Sequence, residues 1–500
     1  MVSSHQNQFQ FDNTYSTLPE RFYARLNPTP VQKPSLIKIN RLLANHMGLD
    51  SNFLETSTGI NILAGNQVPV GAKPIAMAYA GHQFGGWVPQ LGDGRAILLG
   101  EVITPDGCRY DLHLKGSGQT PFSRNGDGRA WVGPVLREYI VSEAMAALGI
   151  PTTRALAAIN TGETVMRESQ FPGAVLARVA SSHIRVGTFQ YFSARKDLDA
   201  LRILSNHIIK RHYPEAEKSS NPYITLLESV IEKQYKLIAK WMSVGFIHGV
   251  MNTDNMSIAG DTIDYGPCAF MDNYHPGKVF SSIDQMGRYA YGNQPLIAQW
   301  NLSCFASAIL PLIDKNEDAA IETATDRLNC FPEQYESAWN SNFRAKIGLL
   351  EKKEGDSNLA KDLLSCMSEN NADFTLTFRQ LSKLSKDKDQ SSEILDKKFT
   401  SLFENQSAVE AWLLKWRERL NLDNCSDTER QKAMLSVNPA YIPRNHRIEE
   451  IILAALEGNF SPFEKLNDIL SRPFEEQVEN IKFQKPPLPE EIVRETFCGT

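Results

Sequence analysis

The spacing of hydrophobic residues changes in character near residue 196. Before this point, short apolar runs predict strands at Arg95–Val102, Tyr110–Lys115 and Ala174–Val179. After it, apolar residues recur every three or four positions, most clearly in Ile224–Met242, as they do in long amphipathic helices. This order predicts an α+β fold in which a smaller, β-rich part is followed by a larger, mostly helical part.

Proline, glycine and charge patterns add further elements and divide the chain. The predicted elements are a helix over Pro134–Leu148, a helix around Leu36–Met47 in an otherwise irregular N-terminal region, a hairpin at Ile258–Ile263, and charged linkers at Glu351–Ser357 and Ser385–Lys398. The expected division is an N-terminal extension (1–75), a β-rich lobe (76–195), a helical lobe (196–480) and a C-terminal tail (481–500).

The composition is that of a globular protein. The 500 residues are 42% hydrophobic and 22% charged, which excludes fibrous and wholly disordered classes. Lysine and arginine number 52 against 58 acidic residues, and the net charge is −6. This charge does not provide the overall basic field that nucleic-acid binding uses, so we predict no nucleic-acid partner.

The cysteines and the N-terminus bear on the cellular compartment. The seven cysteines include no CxxC pair, which argues against a zinc ribbon or a secreted disulfide scaffold. The first residues lack the basic and apolar regions of a signal peptide. No uninterrupted apolar run reaches the length of about 18 residues that a membrane-spanning helix requires. We therefore expect a cytoplasmic protein without a membrane partner.

A glycine-rich segment precedes the first predicted strand. Five of the fifteen residues in Gly81–Arg95 are glycines, and glycine lets backbone amides approach a phosphate closely. Arg95 adds a forked cation that suits phosphate oxygens. The segment matches neither the P-loop nor the dinucleotide-binding pattern. A phosphate-binding loop and a glycine-rich turn without a ligand therefore both remain open.

A lysine and a glutamate follow in the order that protein kinases use. Lys115 ends the second predicted strand. The next predicted helix offers Glu138 and Glu143, and we favour Glu138 because it lies in the first turns. In kinases, such a lysine binds ATP phosphates and pairs with a glutamate on a helix. Residues 116–129 form a second glycine-rich loop, which either covers a nucleotide or is a surface turn. Taken singly, Lys115 and Glu138 are also compatible with ordinary exposed side chains.

The loop after the long predicted helix carries the remaining kinase-like residues. His248 and Asn255 keep the spacing of the histidine and asparagine of the kinase catalytic loop, and Asp264 begins a DYG sequence in place of DFG. The side-chain oxygens of Asn255 and Asp264 suit Mg²⁺. Val250 stands where kinases have a catalytic aspartate, and valine cannot accept a proton. An acidic residue occurs instead at Asp254.

Taken together, these motifs resemble the selenoprotein O family over nearly the whole chain. The stretches that carry the resemblance are Tyr79–Gly85, Gln90–Ala96, Leu114–Gly118, His248–Asn255 and Ile263–Pro267. The resemblance implies a bilobed, protein-kinase-like fold. It implies a protein adenylyltransferase that transfers AMP from ATP to Ser, Thr or Tyr hydroxyls of target proteins. It also implies an ATP molecule that is inverted relative to kinases and presents its α-phosphorus to the acceptor.

The resemblance also implies roles for individual residues. Nucleotide contacts are implied for Gly92, Gly94, Arg95, Lys115, Asp127, Gly128, Arg178, Arg185 and Asp264. Asn255 and Asp264 would bind Mg²⁺ or Mn²⁺. Asp254 would be the catalytic proton acceptor, and Glu138 would support Lys115. Without the resemblance, Arg178 and Arg185 are better interpreted as solvated arginines at strand edges.

Two cysteines suggest a regulatory device. Several family members carry selenocysteine near the C-terminus, where this chain has Cys498. Cys268 comes just after the DYG sequence, where the activation loop of a kinase begins. Our hypothesis is a reversible Cys268–Cys498 disulfide, together with a thiol-redox partner. The alternative is two unconnected cysteines.

Other functions remain open from the sequence. A protein kinase that transfers the γ-phosphate is disfavoured by Val250. A non-catalytic, ATP-binding pseudokinase is disfavoured by the intact Lys115, Asn255 and Asp264. UMP transfer from UTP remains open because no feature of the sequence indicates which nucleobase is recognised. A redox protein that uses Cys498 lacks a CxxC partner.

Overall fold

The computed structural model describes residues 8–387, 392–494 and 496, and it shows an antiparallel sheet accompanied by many helices. The strands are β1 (Tyr23–Arg25), β2 (Ser35–Ile39), β3 (Ile75–Met77), β4 (Gly81–Gln83), β5 (Gly86–Val88), β6 (Ala96–Ile103), β7 (Arg109–Lys115), β8 (Ala130–Trp131), β9 (Arg154–Met166), β10 (Gln170–Ala180), β11 (Phe246–Ile247) and β12 (Ala269–Phe270). The protein is therefore α+β, as the sequence predicts.

The main sheet has eight strands in the order β1-β3-β6-β7-β10-β9-β2, with β8 paired to β10. β4 pairs with β5 and β11 with β12 as separate two-stranded ribbons. In the centre of the main sheet, Arg178 of β10 lies opposite His113 of β7. Lys115 lies opposite Ala96 of β6, so the end of β7 adjoins the glycine-rich segment.

Seventeen α-helices occur in the described part of the chain. They are α1 (Arg41–His46), α2 (Ser51–Leu54), α3 (Ser57–Ala64), α4 (Val132–Ala147), α5 (Val186–Ala194), α6 (Leu198–His212), α7 (Pro222–Ser243), α8 (Gln294–Ile313), α9 (Glu317–Asn329), α10 (Phe331–Lys346), α11 (Asp356–Glu369), α12 (Phe374–Leu381), α13 (Ser392–Thr400), α14 (Gln406–Leu420), α15 (Asp427–Val437), α16 (Asn445–Leu456) and α17 (Ser461–Leu470). Most of them follow residue 196, in agreement with the change in hydrophobic spacing.

The sheet separates two hydrophobic cores. On one face, Leu112, Leu114 and Val175 pack with residues of α1–α3 in the smaller core. On the other face, Leu98 and Leu176 pack with α4 in a larger core that continues into the helices of the second half. The alternation of inward residues along β7 therefore places Leu112 and Leu114 on one face, and His113 and Lys115 on the other.

Several predicted elements are confirmed, with shifted ends. The predicted strands correspond to β6, β7 and β10, and the two predicted helices at 134–148 and 224–242 correspond to α4 and α7. The region 154–192 holds two long strands, β9 and β10, and most of α5. α11 and α13 begin within the predicted linkers, and residues 388–391 lie outside the described residues. The division into lobes and tail stays a prediction.

Two local predictions are wrong. The helix around Leu36–Met47 begins only after β2, because the apolar residues of β2 pair with β9 at the sheet edge. The hairpin at Ile258–Ile263 does not form either. Ser257 instead bridges to Arg185, and Thr262 bridges to Thr152, so each side of the turn pairs with a distant segment. In both places, long-range strand pairing overrides the local pattern.

One helical stretch, Tyr291–Ile313, is long and apolar enough to cross a membrane by length and composition. Within the molecule, 44% of its apolar window is buried, and α8 packs against α5 and α7. A helix in a protein core meets the same criterion. The absence of a membrane partner therefore stays a prediction.

Candidate active site

A cavity of about 410 Å³ lies between the sheet and the loops that follow α7. Its walls bring together segments that are far apart in the sequence. They are the glycine turn 91–96, the loop 122–129, the strand residues Lys115 and Arg178, the N-cap residue Arg185, and the loop residues Val250, Asn252, Asp254, Asn255 and Asp264. Every predicted nucleotide, metal and proton-acceptor residue lines this one cavity.

Lys115 and Glu138 form an ion pair on the sheet side of the cavity. The Lys115 Nζ donates to Glu138 Oε2 at 2.5 Å and lies 3.5 Å from Asp264 Oδ1. Glu138 is buried on α4, whose apolar side packs against the sheet. The pairing follows from the geometry of the fold, because the end of β7 faces the second turn of α4.

Two arginines hold the Asp264 carboxylate from opposite sides. Arg178 donates to Asp264 Oδ1 at 2.5 Å and to Glu138 Oε1 at 3.1 Å. Arg185, the N-cap of α5, donates to Asp264 Oδ2 at 2.5 Å, and its guanidinium lies over the Tyr79 ring. Burial opposes the ionisation of Asp264, but these two arginines and Lys115 outweigh it and hold its pKa well below the usual range.

Asp264 adopts a left-handed backbone conformation, with a φ of 62°. Non-glycine residues rarely adopt it, and such strain concentrates at functional sites. The Gly266 N–H donates to the Asp264 carbonyl at 2.9 Å and closes the turn. Tyr265 points away from the cavity into the core, where its hydroxyl hydrogen-bonds to Thr152. The turn therefore directs one acidic side chain into the cavity and anchors itself with the next residue.

The opposite wall is a short 3-10 turn, Thr253–Asn255. The Asn255 Nδ2 donates to the Val250 carbonyl at 2.9 Å, which leaves the Asn255 Oδ1 available to a ligand. Asp254 Oδ2 accepts a hydrogen bond from Gln83 Nε2 at 3.1 Å. Burial raises the pKa of Asp254 to about 6. At neutral pH this carboxyl group is therefore mostly ionised, although it protonates more readily than an exposed aspartate.

Glycines shape the cavity where two loops meet. Gly92 has a φ of 118°, and a Cβ there would lie 2.4 Å from the Phe122 ring. Gly128 has a φ of 67°, and a Cβ there would lie 2.1 Å from the backbone of Gly118. No other residue type fits either position without displacing the backbone or an aromatic ring. Glycine at both positions therefore lets the loops pack closely together at the wall of the cavity.

Comparison with known proteins identifies the family. The sequence model of the family described as protein adenylyltransferase SelO matches residues 5–471. The chain belongs to the SelO family. It is 58% identical over 496 residues to the protein nucleotidyltransferase YdiU of Bradyrhizobium diazoefficiens, covering 98% of this chain and 99% of that protein. Proteins of the same name from Rhodopseudomonas palustris (strain BisB18) and Nitrobacter hamburgensis are 57% and 55% identical over 98% of this chain and 99% and 96% of their own. The resemblance noted in the sequence is thereby confirmed.

Two side chains of the cavity, Asn255 and Asp264, carry oxygens of the kind that a divalent cation binds. Among the described residues, no group of three His, Cys, Asp or Glu could hold a metal ion. Mg²⁺, however, commonly takes one or two protein oxygens and completes its shell with water and substrate phosphates. Asn255 and Asp264 supply such a pair at the cavity wall. Each Asp264 oxygen accepts a hydrogen bond from an arginine here, so a cation would share this carboxylate with the arginines or displace one of them.

Four other predicted residues of this SelO family member remain to be placed. Arg95 lines the cavity next to the glycine turn. Asp127 lies at the mouth of the cavity, where its carboxylate pairs with Arg167 at 2.8 Å. Cys268 is buried just beyond the Asp264 turn. Cys498 lies outside the described residues, so the disulfide stays a prediction. Thr496 donates its N–H to the Phe280 carbonyl at 2.8 Å and also lines the cavity.

The sequence did not single out three side chains that support this site. Gln83 binds Asp254, while Asp93 and His113 lie behind the arginines. Asp93 sits between Gly92 and Gly94, and His113 is two residues before Lys115 on the same face of β7. Both positions carry a polar residue close to a motif residue. On β7, the spacing of two also places His113 and Lys115 on the same face, and this is the signal that the sequence contains.

Proposed function

We propose that this protein transfers AMP from ATP to Ser, Thr or Tyr hydroxyls of target proteins and releases pyrophosphate. The chain is a nucleotidyltransferase of the SelO family. The proposal adds three points to this: ATP is the nucleotide, a protein hydroxyl is the acceptor, and a divalent cation is required. The proposal also includes a cytoplasmic location and a bilobed, kinase-like arrangement. The ion pair between a strand lysine and a helix glutamate at the cavity supports the kinase-like arrangement.

The observation that carries the proposal is the convergence of three cations on one carboxylate in the cavity. Lys115, Arg178 and Arg185 all lie within 3.5 Å of Asp264. Asp264, Glu138 and the more distant Asp93 balance these three cations, but four further arginines line the same cavity against only two further aspartates. A nucleotide triphosphate brings phosphate oxygens that suit forked guanidinium groups, so the arginines can exchange the carboxylate for phosphates. Positioning and charge neutralisation supply most of the catalysis in phosphoryl transfer.

The reaction at this site is a substitution at the α-phosphorus. The acceptor oxygen forms a bond to the α-phosphorus as the bond between that phosphorus and the oxygen bridging to the β-phosphate breaks. Pyrophosphate leaves, and Lys115, Arg178 and Arg185 neutralise the charge that it carries away. Asp254 receives the hydroxyl proton. Its pKa of about 6 leaves it ionised at neutral pH yet basic enough to accept that proton.

Asn255 and Asp264 would hold the divalent cation, Mg²⁺ or Mn²⁺. When bound, this cation would neutralise phosphate charge beside the α-phosphorus. Asn255 is suited to this role because its amide nitrogen is already bound to the Val250 carbonyl and its oxygen is left for a ligand. Asp264 is suited because its pKa lies well below the usual range, so it is ionised throughout the physiological pH range.

Two alternatives lead to different labelled products. The relatives carry the name protein nucleotidyltransferase without a specified base, so UMP transfer from UTP is the second candidate. Transfer of the γ-phosphate would use an acid at the position of Val250, and valine lines the cavity there. The binding of ATP without transfer is the outcome in which the cation cluster serves only as a nucleotide site.

A labelling assay distinguishes these outcomes. Reduced protein is incubated with a bacterial lysate and Mg²⁺ or Mn²⁺, and with α-labelled ATP, γ-labelled ATP or α-labelled UTP. We expect protein labelling from α-labelled ATP alone. We also expect Asp254→Asn to lower the rate about 100-fold or more and Asp264→Ala to abolish it. The control is Asp199→Asn, which changes an exposed carboxylate in an Arg21–Asp199–Arg202 surface cluster.

Each other result overturns part of the proposal. Stronger labelling from UTP would replace AMP by UMP as the transferred group. Labelling from γ-labelled ATP alone would make the protein a kinase. Labelling from α-labelled ATP that persists in Asp264→Ala would place the reaction at another site.

A further inference from the structure

His113 lies directly behind the cation cluster and touches Arg178. It is fully buried in the middle of β7, opposite Arg178 on β10. Its Nδ1 lies 3.1 Å from Arg178 Nη2, and its Nε2 lies 3.3 Å from Asp93 Oδ2. One imidazole ring thus joins an arginine of the cavity to an aspartate of the glycine turn.

The chemistry of the three groups fixes the state of this histidine. A guanidinium can only donate, so His113 Nδ1 must be the acceptor. The ring proton is then on Nε2, from which it is donated to Asp93. Burial lowers the pKa of His113, in agreement with a neutral ring. The neutral ring therefore bonds Arg178 on one side and Asp93 on the other, and His113 itself does not line the cavity.

Asp93 connects this pair to the glycine turn and to the second arginine. Its backbone N–H donates to the Met77 carbonyl, and its carboxylate accepts from the Met77 N–H, both at 3.0 Å. Its Oδ1 lies 3.9 Å from Arg185 Nη2. The aspartate is 3% exposed and stands between Gly92 and Gly94. It is therefore a counter-charge fixed to the turn that shapes the phosphate end of the cavity.

We infer that Asp93 and His113 are positioning residues for the nucleotide and that they act through Arg178. Arg178 Nη1 bonds to Asp264, and this is the contact that a nucleotide phosphate would take over under the proposed function, on which this inference rests. Arg178 Nη2 stays bonded to His113 during that exchange. The guanidinium is thus held toward the cavity in both states, in fixed register with the glycine turn. Such preorganisation reduces the cost of ordering the arginine when the ligand binds.

The test measures ATP affinity by isothermal titration calorimetry in the presence of Mg²⁺. His113→Phe keeps a ring that can stack on His183 but removes the acceptor for Arg178. We expect ATP affinity to fall about tenfold, the usual scale for losing a hydrogen bond to a charged group. His113→Asn places an amide oxygen near the position of Nδ1, and we expect it to stay within about threefold of the wild type.

Two further variants control for folding and for burial of a polar ring. His113→Leu removes the acceptor without the bulk of a phenyl ring and replaces His113→Phe if that variant does not fold. His183→Phe changes the buried His183 ring, which stacks on His113 but bonds to Asp111 and not to Arg178. We expect it to lower the thermal midpoint while ATP affinity stays within about twofold.

A double-mutant cycle decides whether His113 acts through Arg178. In an Arg178→Met background, we expect His113→Phe to change ATP affinity less than about twofold, because the partner is gone. An equal loss in both backgrounds, or no loss in either, would overturn the inference. An equal loss in His183→Phe would also overturn it, because burial of a ring would then be the cause. If the wild type binds no ATP, the proposed function itself fails, and this inference fails with it.

Discussion

Two clusters of buried charges in this protein use the same chemistry to different ends. In the candidate site, Arg178 and Arg185 bind the Asp264 carboxylate. In the helical half, Arg444 binds the carboxylates of Asp272 and Asp373. Both clusters pair arginines with aspartates, and both are largely shielded from solvent.

The balance of charges and the presence of a cavity separate the two clusters. The cavity of the site, about 410 Å³, is lined by seven lysine and arginine side chains, among them Lys115, Arg178 and Arg185, against four aspartates. Arg444 is one cation against two carboxylates, and it also donates to the carbonyl of Gln484 at 2.9 Å. It does not line the cavity of the candidate site. A buried ion pair alone is therefore weak evidence for function, whereas surplus positive charge facing a cavity indicates an anionic ligand.

The first prediction tests whether the Arg444 cluster stabilises the fold without taking part in nucleotide binding. Arg444→Leu leaves Asp373 buried without a cation. Removing one partner of a buried pair typically lowers the free energy of unfolding by about 3–5 kcal/mol. We expect a loss of this size in urea unfolding followed by circular dichroism and tryptophan fluorescence. The increase in thermal midpoint on addition of ATP should stay as large as in the wild type.

The matched control is Arg447→Leu on the same helix, α16. Arg447 pairs with the exposed Glu450, and we expect a cost below about 1 kcal/mol. If Arg444→Leu folds normally but loses its response to ATP, the Arg444 cluster takes part in nucleotide binding and is not only a structural ion cluster.

The order of motifs along the chain predicted much of the site. Lys115 and Glu138 were paired from their positions on a strand and on the next helix, and the structure joins them at 2.5 Å. Asn255 and Asp264 were grouped from loop spacing, and both line the cavity. The kinase-like order constrains these residues because each lies in a loop, at an element end or in the first turns of a helix, where short-range signals indicate its position.

The arginines could not be derived from local pattern. Arg178 lies inside β10, and the strand alternation does not show which face of the sheet meets the cavity. Its direction depends on the register between β10 and β7, which is a long-range property. Asp93 and His113 were missed for the same reason. The wrong hairpin at 258–263 has a related cause, because its two sides pair with Arg185 and Thr152 instead of each other.

The second prediction concerns Asp254, the one buried carboxylate of the site that forms no salt bridge among the described residues. Asp254 packs against Gly81, where an added Cβ would lie 2.6 Å from Asp254 Oδ1. Gly81→Ala must displace this carboxylate, and overpacking of this kind costs about 1–3 kcal/mol. We expect transfer to slow by about 10- to 100-fold, because Asp254 is the proposed proton acceptor. ATP affinity should change less than about twofold, because the cations are untouched.

Gly86→Ala in the same β4–β5 ribbon is the control. Its added Cβ would meet only the Gln83 carbonyl, at 3.4 Å, and its φ is not positive. We expect labelling rates close to those of the wild type. Equal slowing in both alanine variants would mean that the ribbon responds as a whole and that Asp254 is not specifically displaced.

The third prediction extends the comparison to a buried cation that has neither a carboxylate partner nor a cavity. Lys346 ends α10 with its Nζ bonded to Asn438 Oδ1 at 2.8 Å and placed 4.2 Å from the centre of the Phe378 ring. No salt bridge to it occurs among the described residues. Burial lowers its pKa to about 7, whereas an unfolded lysine has a pKa of about 10.4. Between these values the unfolded chain binds a proton that the folded chain does not bind.

The free energy of unfolding should therefore rise with pH through this window, by at most about 1.4 kcal/mol for each pH unit from this group. Lys346→Met removes the titration while keeping a similar apolar length. We expect the difference in free energy of unfolding, wild type minus variant, to increase from pH 7 to pH 9 in urea titrations. Parallel curves would mean that Lys346 keeps its proton in the folded protein. The Asn438 oxygen and the Phe378 ring would then be enough to stabilise a buried charge, and a carboxylate would not be required, as it is for the arginines of the site and for Arg444.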